Sequence, residues 1–277
     1  MANIFITYAD VRYKESLKRL RRQARASGLF DKVVAYTPAD LPPAITGSPL
    51  MAFPRGGGYW VWKPYLIVRT LAEAAEGDVV YYMDSGCTLR PQSAEWARLQ
   101  EEIKHHKAIF FQYRDDMKYP GWEKVCTAPA NNSSRIRHWM KQSSRDYFTH
   151  YFGTDEYLDY CKIWGGFCIV KKQGPLLRTL DEWLRITLFR PDLVADAFGP
   201  DLTHEPADYN VHRHDQAIIT PLIWRYGRED DILVLPETSE SQKGEAAVVA
   251  SRFIQGPIKS PLLWLKYKFY HLLHPMR

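Results

Sequence analysis

The chain has 277 residues, with 37 lysines and arginines against 32 aspartates and glutamates, and its formal net charge is +5. A chain of this length buries a large core without disulfides or structural metals, and no apolar run approaches the roughly 20 residues that span a bilayer. The excess of positive charge fits an anionic nucleotide or an anionic membrane surface. Because the cations are scattered along the sequence, we do not expect a nucleic-acid partner.

The number and spacing of the cysteines indicate the redox environment in which the protein works. The four cysteines have neither CxxC spacing nor the density of a secreted scaffold. We therefore expect reduced thiols and a cytoplasmic protein. The cysteines are Cys87, Cys126, Cys161 and Cys168.

The N-terminal residues predict a βαβ unit. Residues 3–8 and 32–36 have the composition of short strands. Between them, residues 12–27 predict a basic amphipathic helix with Leu17, Leu20 and Ala24 on its apolar face, and Gly28 is a suitable end. Residues 37–55 are rich in proline and predict a loop.

A second helix and strand follow that loop. Pro64 suits the first position of a helix, and Gly77 is a suitable stop. Residues 78–83 predict a buried strand, so Asp84 falls at its carboxyl end, where open α/β sheets bind ligands. The apolar face of the helix consists of Leu66, Ile67, Leu71, Ala74 and Ala75.

The residues before this helix predict an anion site. Gly56, Gly57 and Gly58 allow backbone N–H groups to approach an oxyanion, and Lys63 adds a full charge at the helix start. A nucleotide diphosphate would suit this site, with Mg²⁺ or Mn²⁺ held by Asp84 and two phosphate oxygens. Tyr59, Trp60 and Trp62 would form its walls. A flexible glycine loop and aromatic core packing are the alternative interpretation.

The second half of the chain has fewer signals. Strands are predicted at residues 107–112 and 166–171, and a helix at residues 176–188. A polar cluster covers residues 212–216, where Asp215 is either a functional carboxylate or the N-cap of the apolar helix that follows. Pro221 leaves the end of that helix open.

Three ordered motifs resemble bacterial polysaccharide glycosyltransferases of the GT-A type. The motifs are RGGGYWVWKPYLI, GDVVYYMDSGC and RHDQAIITPLIWRYG, matching GYWxWKP, YxDxG and HDQ patterns of that group. The similarity extends over residues 3–228. One departure concerns the metal motif, because Asp84-Ser85-Gly86 stands where GT-A enzymes usually have Asp-x-Asp. Only the first carboxylate is retained.

The resemblance implies an α/β fold, with a GT-A-like, Rossmann-type mixed sheet flanked by helices in a single domain of residues 1–258. It also implies roles for individual residues. The nucleoside would contact Thr7, Tyr8 and Asp10. The diphosphate would contact Gly57, Gly58, Trp60 and Lys63. Asp84 would bind a divalent cation, with His214 or His212 as a further candidate ligand, and Asp215 and Gln216 would act on the donor sugar.

The function implied is transfer of a hexose from a nucleotide sugar, expected to be UDP-linked, to a glycan or lipid-linked glycan acceptor in surface polysaccharide biosynthesis. A nucleotidyltransferase acting on a sugar phosphate and a non-catalytic glycan-binding module remain as alternatives. For the acceptor, Trp164 is a candidate stacking residue and Asp155, Glu156 and Asp159 are candidate bases. Retaining and inverting transfer are both open.

The C-terminal residues 259–277 form an amphipathic, basic tail. Leu262, Leu265, Phe269 and Leu272 share one face of a predicted helix, and lysines flank it. Such a helix either docks on its own protein or lies on a membrane surface. The second case would make the enzyme peripheral on the inner face of the cytoplasmic membrane.

Overall fold

A computed structural model of the protein describes residues 1–119, 121–196, 204–241 and 245–251. Within these residues a six-stranded sheet has the order β2-β1-β3-β6-β5-β7, and β4 and β8 form a separate two-stranded sheet. The strands are β1 (Asn3–Tyr8), β2 (Lys32–Tyr36), β3 (Val79–Met83), β4 (Thr88–Leu89), β5 (Ala108–Gln112), β6 (Ile163–Lys171), β7 (Ile232–Pro236) and β8 (Val248–Val249).

The large sheet is mixed. β1 pairs in parallel with β2 and β3, and β5 pairs in parallel with β7. β6 lies between these two groups and runs antiparallel to both β3 and β5. The predicted fold class, a mixed α/β sheet flanked by helices, is therefore confirmed. The antiparallel direction of β6 places its amino-terminal half at the edge where β1 and β3 end.

The helices surround this sheet. They are α1 (Lys14–Ala26), α2 (Pro43–Thr46), α3 (Gly56–Tyr59), α4 (Trp62–Glu73), α5 (Ala94–His105), α6 (Gln142–Phe152), α7 (Arg178–Phe189), α8 (Pro191–Val194) and α9 (His214–Tyr226). Short 3₁₀ turns occupy residues 11–13, 38–40, 49–52, 122–124, 129–131, 136–139 and 156–159.

The core is built on both faces of β3, whose five residues are all buried. Successive side chains of a strand point to opposite faces. Accordingly, Tyr81 lies beside Trp96 of α5, with ring centroids 6.1 Å apart, whereas Tyr82 lies 6.4 Å from Trp62 of α4. Helices α4, α7 and α9 pack together on the Tyr82 side.

Some predicted boundaries are confirmed and others are wrong. β1 and β2 begin and end where the sequence predicts. Helix α4 begins at Trp62 rather than at Pro64, and β6 begins at Ile163 rather than at residue 166. Helix α4 ends at Glu73 rather than at Gly77, because Ala74 adopts an extended backbone with ψ of 150°. Gly77 instead forms the turn before β3, with φ of +88°.

The described cysteines are unpaired, as expected. None of the helices that the structure describes is long and apolar enough to cross a membrane. The predicted tail helix at residues 259–277 lies outside the described residues, and its interpretation stays a prediction.

Thr7 allows a direct test of the burial pattern. Its side chain is 1% exposed in β1, and its hydroxyl has no hydrogen-bond partner in the described structure. A buried hydroxyl without a partner carries a desolvation cost, and valine has the same shape. We expect Thr7→Val to raise the free energy of unfolding by about 1 kcal/mol in urea denaturation. A destabilised variant would contradict the placement of this side chain.

Candidate active site

A cavity of about 480 Å³ opens where β1 and β3 end. The loop before α4, the start of β6 and the start of α9 complete its walls. Its acidic lining residues are Asp10, Asp84, Asp215 and Glu240, and its basic lining residues are Arg12, Arg55, Lys63 and Arg213. Its aromatic lining residues are Tyr8, Tyr13, Trp60, Trp62 and Trp164.

Most of the residues singled out in the sequence meet in this cavity. They are Tyr8, Asp10, Gly57, Trp60, Lys63, Asp84, His214, Asp215 and Gln216. Two predicted nucleotide contacts are wrong. Thr7 does not line the cavity, because it alternates with Tyr8 along β1 and is buried in the core. Gly58 is buried against Met51, whose Sδ would lie 2.5 Å from a Cβ at this position.

The centre of the site is the ammonium group of Lys63, which is almost fully buried. Its Nζ lies 2.5 Å from Asp215 Oδ2 and 3.5 Å from Asp84 Oδ1, and it donates to the Gly165 carbonyl oxygen at 2.9 Å. Three protein oxygens therefore surround an ammonium that has three protons. Lys63 positions the two carboxylates, and this geometry does not support the predicted direct contact with a diphosphate.

Electrostatics keep this lysine charged. Burial by itself disfavours the ammonium, but the charges of Asp215 and Asp84 outweigh burial and raise the pKa of Lys63 above its usual value. Burial also raises the pKa of the Asp215 carboxyl, and the charge of Lys63 opposes that rise. The pair is thus stable as ions only because each charge faces the other.

Gly165 of β6 makes this arrangement possible. A Cβ at this position would lie 2.9 Å from Asp215 Oδ2 and 3.4 Å from Lys63 Nζ. No side chain fits there without displacing the ion pair. Gly165 therefore lets α9 approach β6 closely.

Asp84 is held from several directions. Its Oδ1 accepts a hydrogen bond from the Tyr82 hydroxyl, and its backbone N–H donates to the Gly166 carbonyl oxygen at 2.9 Å. Arg19 of α1 donates to the carbonyl oxygens of Ser85 and Cys87, at 3.3 and 2.6 Å, and so fixes the loop that follows. The side chain of Asp84 remains 33% exposed toward the cavity.

The glycine loop does not present the predicted row of N–H donors. Residues 56–60 all have positive φ, which forms a left-handed turn. Within it the N–H groups of Gly57 and Gly58 donate to the carbonyl oxygens of Pro54 and Phe53, at 3.2 and 3.0 Å. Gly57 has a steric role, since a Cβ there would lie 3.3 Å from Asp10 Oδ2.

The end of β1 forms an aromatic and polar wall. The ring of Tyr8 stacks on Trp62 with centroids 4.0 Å apart and an interplanar angle of 28°. Asp10 caps the 3₁₀ turn at residues 11–13, where it accepts hydrogen bonds from the Arg12 backbone N–H at 2.9 Å and from Arg12 Nε at 3.0 Å. The Asp10 carboxylate, which was predicted to contact a nucleoside, is therefore already engaged within the protein.

The two histidines of the cluster have different roles. His212 uses both ring nitrogens within the protein: Nδ1 accepts from the Lys141 N–H at 3.3 Å, and Nε2 donates to the Leu193 carbonyl oxygen at 2.9 Å. It is therefore not available as a metal ligand. His214 donates from Nδ1 to the Val194 carbonyl oxygen at 3.0 Å. Its Nε2 is buried and has no hydrogen-bond partner in the described residues.

His214 is therefore a neutral acceptor at physiological pH. Burial lowers the pKa of its imidazole to about 4, against the opposing charge of Asp196. Gln216 supplies a second acceptor of this kind, because its Oε1 is buried and has no partner among the described residues. Buried polar atoms in native proteins are normally hydrogen-bonded, so these two atoms are candidate partners for hydroxyl or N–H donors of a ligand.

The fit of a divalent cation depends on Asp84. No group of three or more His, Cys, Asp or Glu side chains suited to a metal exists among the residues that the structure describes. Asp84 nevertheless retains Oδ2 beside the cavity. Mg²⁺ commonly binds through one or two carboxylates together with substrate phosphates, and this donor set fits that mode.

The predicted acceptor bases are wrong. Asp155, Glu156 and Asp159 are exposed and do not line the cavity, and Asp159 pairs with Arg135 at 3.0 Å and with Arg137 at 2.8 Å. Trp164 does line it.

Glu240 is the cavity carboxylate that sequence reasoning missed. It accepts a hydrogen bond from the Tyr113 hydroxyl at 3.1 Å. It follows β7 in a polar segment without any pattern that would single it out.

No protein-family model matches the chain, and a search of curated proteins also finds no match. Among solved structures, mouse xyloside xylosyltransferase 1 aligns at a TM-score of 0.41 and 12% identity, over 84% of this chain and 85% of that one. Core-mannan synthase A from Aspergillus fumigatus, in a Mn/GDP form, aligns at 0.41 and 12%, over 99% and 85%. The bifunctional IspDF from Campylobacter jejuni aligns at 0.37 and 9%, over 88% and 52%. These likenesses concern overall architecture.

The Lys63–Asp215 pair predicts a specific pH dependence. Lys63→Met would leave Asp215 buried without a counter-charge, and we expect a loss of about 3–5 kcal/mol in unfolding free energy at pH 8. The folded-state pKa of Asp215 would then lie far above its unfolded value near ~3.9, so the folded state would bind a proton as pH falls. The loss should therefore shrink toward pH 5.

Urea denaturation at several pH values measures this effect. The double variant Lys63→Met/Asp215→Asn is the control, because it removes the titrating carboxyl and should show an almost pH-independent stability difference from the parent. A Lys63→Met loss of equal size at pH 5 and pH 8 would contradict the assigned ion pair.

Proposed function

We propose that this protein is a glycosyltransferase that moves a hexose from a nucleotide sugar, UDP-hexose in the first instance, to a glycan acceptor in bacterial surface polysaccharide biosynthesis. One observation carries the proposal. His214 Nε2 and Gln216 Oε1 are buried and have no hydrogen-bond partner among the described residues, with Asp196 Oδ1 lying 3.7 Å from Nε2. Both residues line the same cavity as Asp84, Asp215 and an aromatic wall. A sugar supplies several hydroxyl donors to such acceptors.

The nucleoside would lie at the end of β1. Tyr8 and Trp62 already stack there, and both residues line the cavity together with Tyr13. An aromatic surface of this kind suits a planar base. Asp10 is engaged with Arg12, so its contribution would be to hold Arg12 at the cavity wall.

The diphosphate would need more positive charge than Lys63 provides. The cavity is lined by four acidic and four basic side chains, as named above, so their formal charges cancel. Arg12, Arg55 and Arg213 are the lining cations with planar groups that match phosphate oxygens. Mg²⁺ or Mn²⁺ bound at Asp84 together with the donor phosphates would add the charge that stabilises the leaving diphosphate.

The donor sugar would lie between α9 and β6. His214 and Gln216 would accept hydrogen bonds from its hydroxyl groups. Asp215, fixed by Lys63 and given room by Gly165, would hold its carboxylate at one position throughout turnover. Fixed dipoles and charges of this kind stabilise developing charge without reorganisation.

The acceptor side of the reaction would involve Trp164 and Glu240. In an inverting transfer, Glu240 would take the proton from the acceptor hydroxyl as its oxygen bonds to the anomeric carbon. The bond between that carbon and the diphosphate oxygen would break, and the nucleoside diphosphate would leave with the electron pair. The Tyr113 hydroxyl would orient the carboxylate for this step.

Nucleotide-sugar binding and turnover test this function together. In a thermal-shift screen with and without Mn²⁺, a cognate nucleotide sugar at ~100 times its dissociation constant should stabilise the protein by roughly 2.7 kcal/mol. Asp84→Asn should fold, bind the donor less tightly in Mn²⁺, and lower kcat/KM by on the order of a hundredfold. Full activity of that variant, with indifference to EDTA, would remove the role assigned to Asp84.

The two alternative functions would give different experimental results. A nucleotidyltransferase would release pyrophosphate from a nucleoside triphosphate and a sugar phosphate. A non-catalytic glycan-binding module would bind glycans with no stabilisation by any nucleotide sugar. Either result would overturn the proposed transfer.

Glu240 gives a separate prediction about stereochemistry. If Glu240 is the base, Glu240→Gln should lower kcat by about 10²–10⁴ with little change in the donor dissociation constant, because glutamine keeps the hydrogen bond from Tyr113 but accepts no proton. The parent enzyme should then invert the anomeric configuration, which NMR of the first product reports. Turnover of the variant within threefold of the parent, or a retained configuration, would contradict this role.

A further inference from the structure

The exposed face of α1 carries an unusual concentration of positive charge. Its five exposed cations are Lys14, Lys18, Arg21, Arg22 and Arg25, which we call the α1 basic face. The opposite side of the helix buries Leu17, Leu20 and Ala24 against the sheet. The helix is therefore firmly docked, and its charged face is held outward.

The spacing of these cations places them together. At 3.6 residues per turn they fall within an arc of about 100°, and from Lys14 to Arg25 the helix rises about 16 Å. Lys18, Arg21, Arg22 and Arg25 line one open groove on the surface. The cations that are scattered along the sequence thus include one continuous patch in the fold.

Few of the exposed cations on this face are ion-paired. Several cations on other helices do pair with carboxylates three or four residues away. Examples are Arg69–Glu73 at 2.9 Å, Lys104–Glu101 at 2.6 Å and Arg225–Glu229 at 3.2 Å. On the α1 basic face, Lys18 pairs with Glu15 at 2.8 Å. The other four have no ion pair within the part of the chain that the structure describes.

We propose that the α1 basic face binds the surface of an anionic phospholipid bilayer. Clusters of four to eight Lys and Arg residues on an amphipathic helix are attracted to anionic headgroups by roughly 1 kcal/mol per cation. The face lies on a single helix and has no aromatic side chains for base stacking. It therefore fits a plane of phosphates better than single-stranded nucleic acid.

The position of α1 beside the cavity suggests what the membrane contact would do. This part of the inference rests on the proposed glycosyl transfer. Arg12 and Tyr13 line the cavity, and Lys14 begins both α1 and its basic face. A bilayer against this face would hold the rim of the cavity near the membrane surface. Arg19 connects the same helix to the loop after Asp84. A lipid-linked glycan would then meet the donor site without leaving the membrane.

Vesicle sedimentation with the full-length chain tests the proposal. The probes are vesicles of phosphatidylcholine alone and with about one-third phosphatidylglycerol, in the absence of any nucleotide sugar. We expect the parent protein to bind the anionic vesicles and to be released by salt. The variant Lys18→Gln/Arg21→Gln/Arg22→Gln/Arg25→Gln should bind at least about a hundredfold more weakly, since each cation contributes on the order of fivefold.

Two matched controls separate this face from charge in general. Lys104→Gln/Lys118→Gln/Lys124→Gln/Arg228→Gln removes the same charge from other exposed positions and should bind within about threefold of the parent. Arg21→Lys/Arg22→Lys/Arg25→Lys keeps the charge and should also bind. Residues 252–277 are unchanged in every variant, so vesicle binding carried by that tail alone would leave the α1 variant at parent affinity and overturn the proposal.

Two further results would overturn membrane binding by the α1 basic face. Equal losses of vesicle affinity in the α1 variant and in the surface control would show a general charge effect. No binding of the parent protein to vesicles, together with salt-sensitive binding to duplex DNA, would show that the partner is a nucleic acid. Either result overturns the proposal. Unchanged thermal stability and unchanged activity on a soluble acceptor would show that the α1 variant is folded. Because vesicle binding needs no nucleotide sugar, failure here is distinct from failure of the proposed transferase function.

Discussion

The buried ammonium of Lys63 is the interaction on which the site depends. It joins segments that are far apart in the chain, since it contacts Gly165 and Asp215 across 102 and 152 residues of sequence. Through it, α4, β6, α9 and the end of β3 share one charged centre. Two carboxylates that would otherwise repel each other are thereby held close together at the strand ends. The cost of burying the charges of Lys63 and Asp215 is met only because each has an opposite charge beside it.

This arrangement gives different groups of the cavity different roles in binding a ligand. Lys63 is occupied with protein oxygens, so charge on a donor diphosphate falls to the arginines of the wall and to a cation at Asp84. His214 and Gln216 contribute neutral acceptors, because burial keeps the imidazole unprotonated. The cavity has a balanced formal charge and two acceptors that lack a hydrogen-bond partner among the described residues. Such a cavity suits a ligand that carries phosphates at one end and hydroxyl groups at the other. The α1 basic face would then bring this cavity to a surface where glycan acceptors are anchored.

Local patterns predicted the elements and most of the cavity. β1 and β2 have the predicted bounds because apolar runs and turn residues specify them. The position of Asp84 in the cavity followed from the prediction that β3 ends just before it. The side on which a residue lies was harder to predict. Thr7 and Gly58 are adjacent to cavity residues but face the core. The partners of Lys63, the place of Glu240 and the patch on α1 arise from contacts between distant segments, which periodicity and motif spacing do not encode.

A crystal structure with a bound UDP-hexose would test the central claim most directly. The account predicts the diphosphate beside Asp84 and the arginines of the wall, with the hexose hydroxyl groups on His214 Nε2 and Gln216 Oε1. Lys63 would still bridge Asp84 and Asp215. A nucleotide sugar bound elsewhere, or a Lys63 ammonium that leaves Asp215 to bind the diphosphate, would contradict the account.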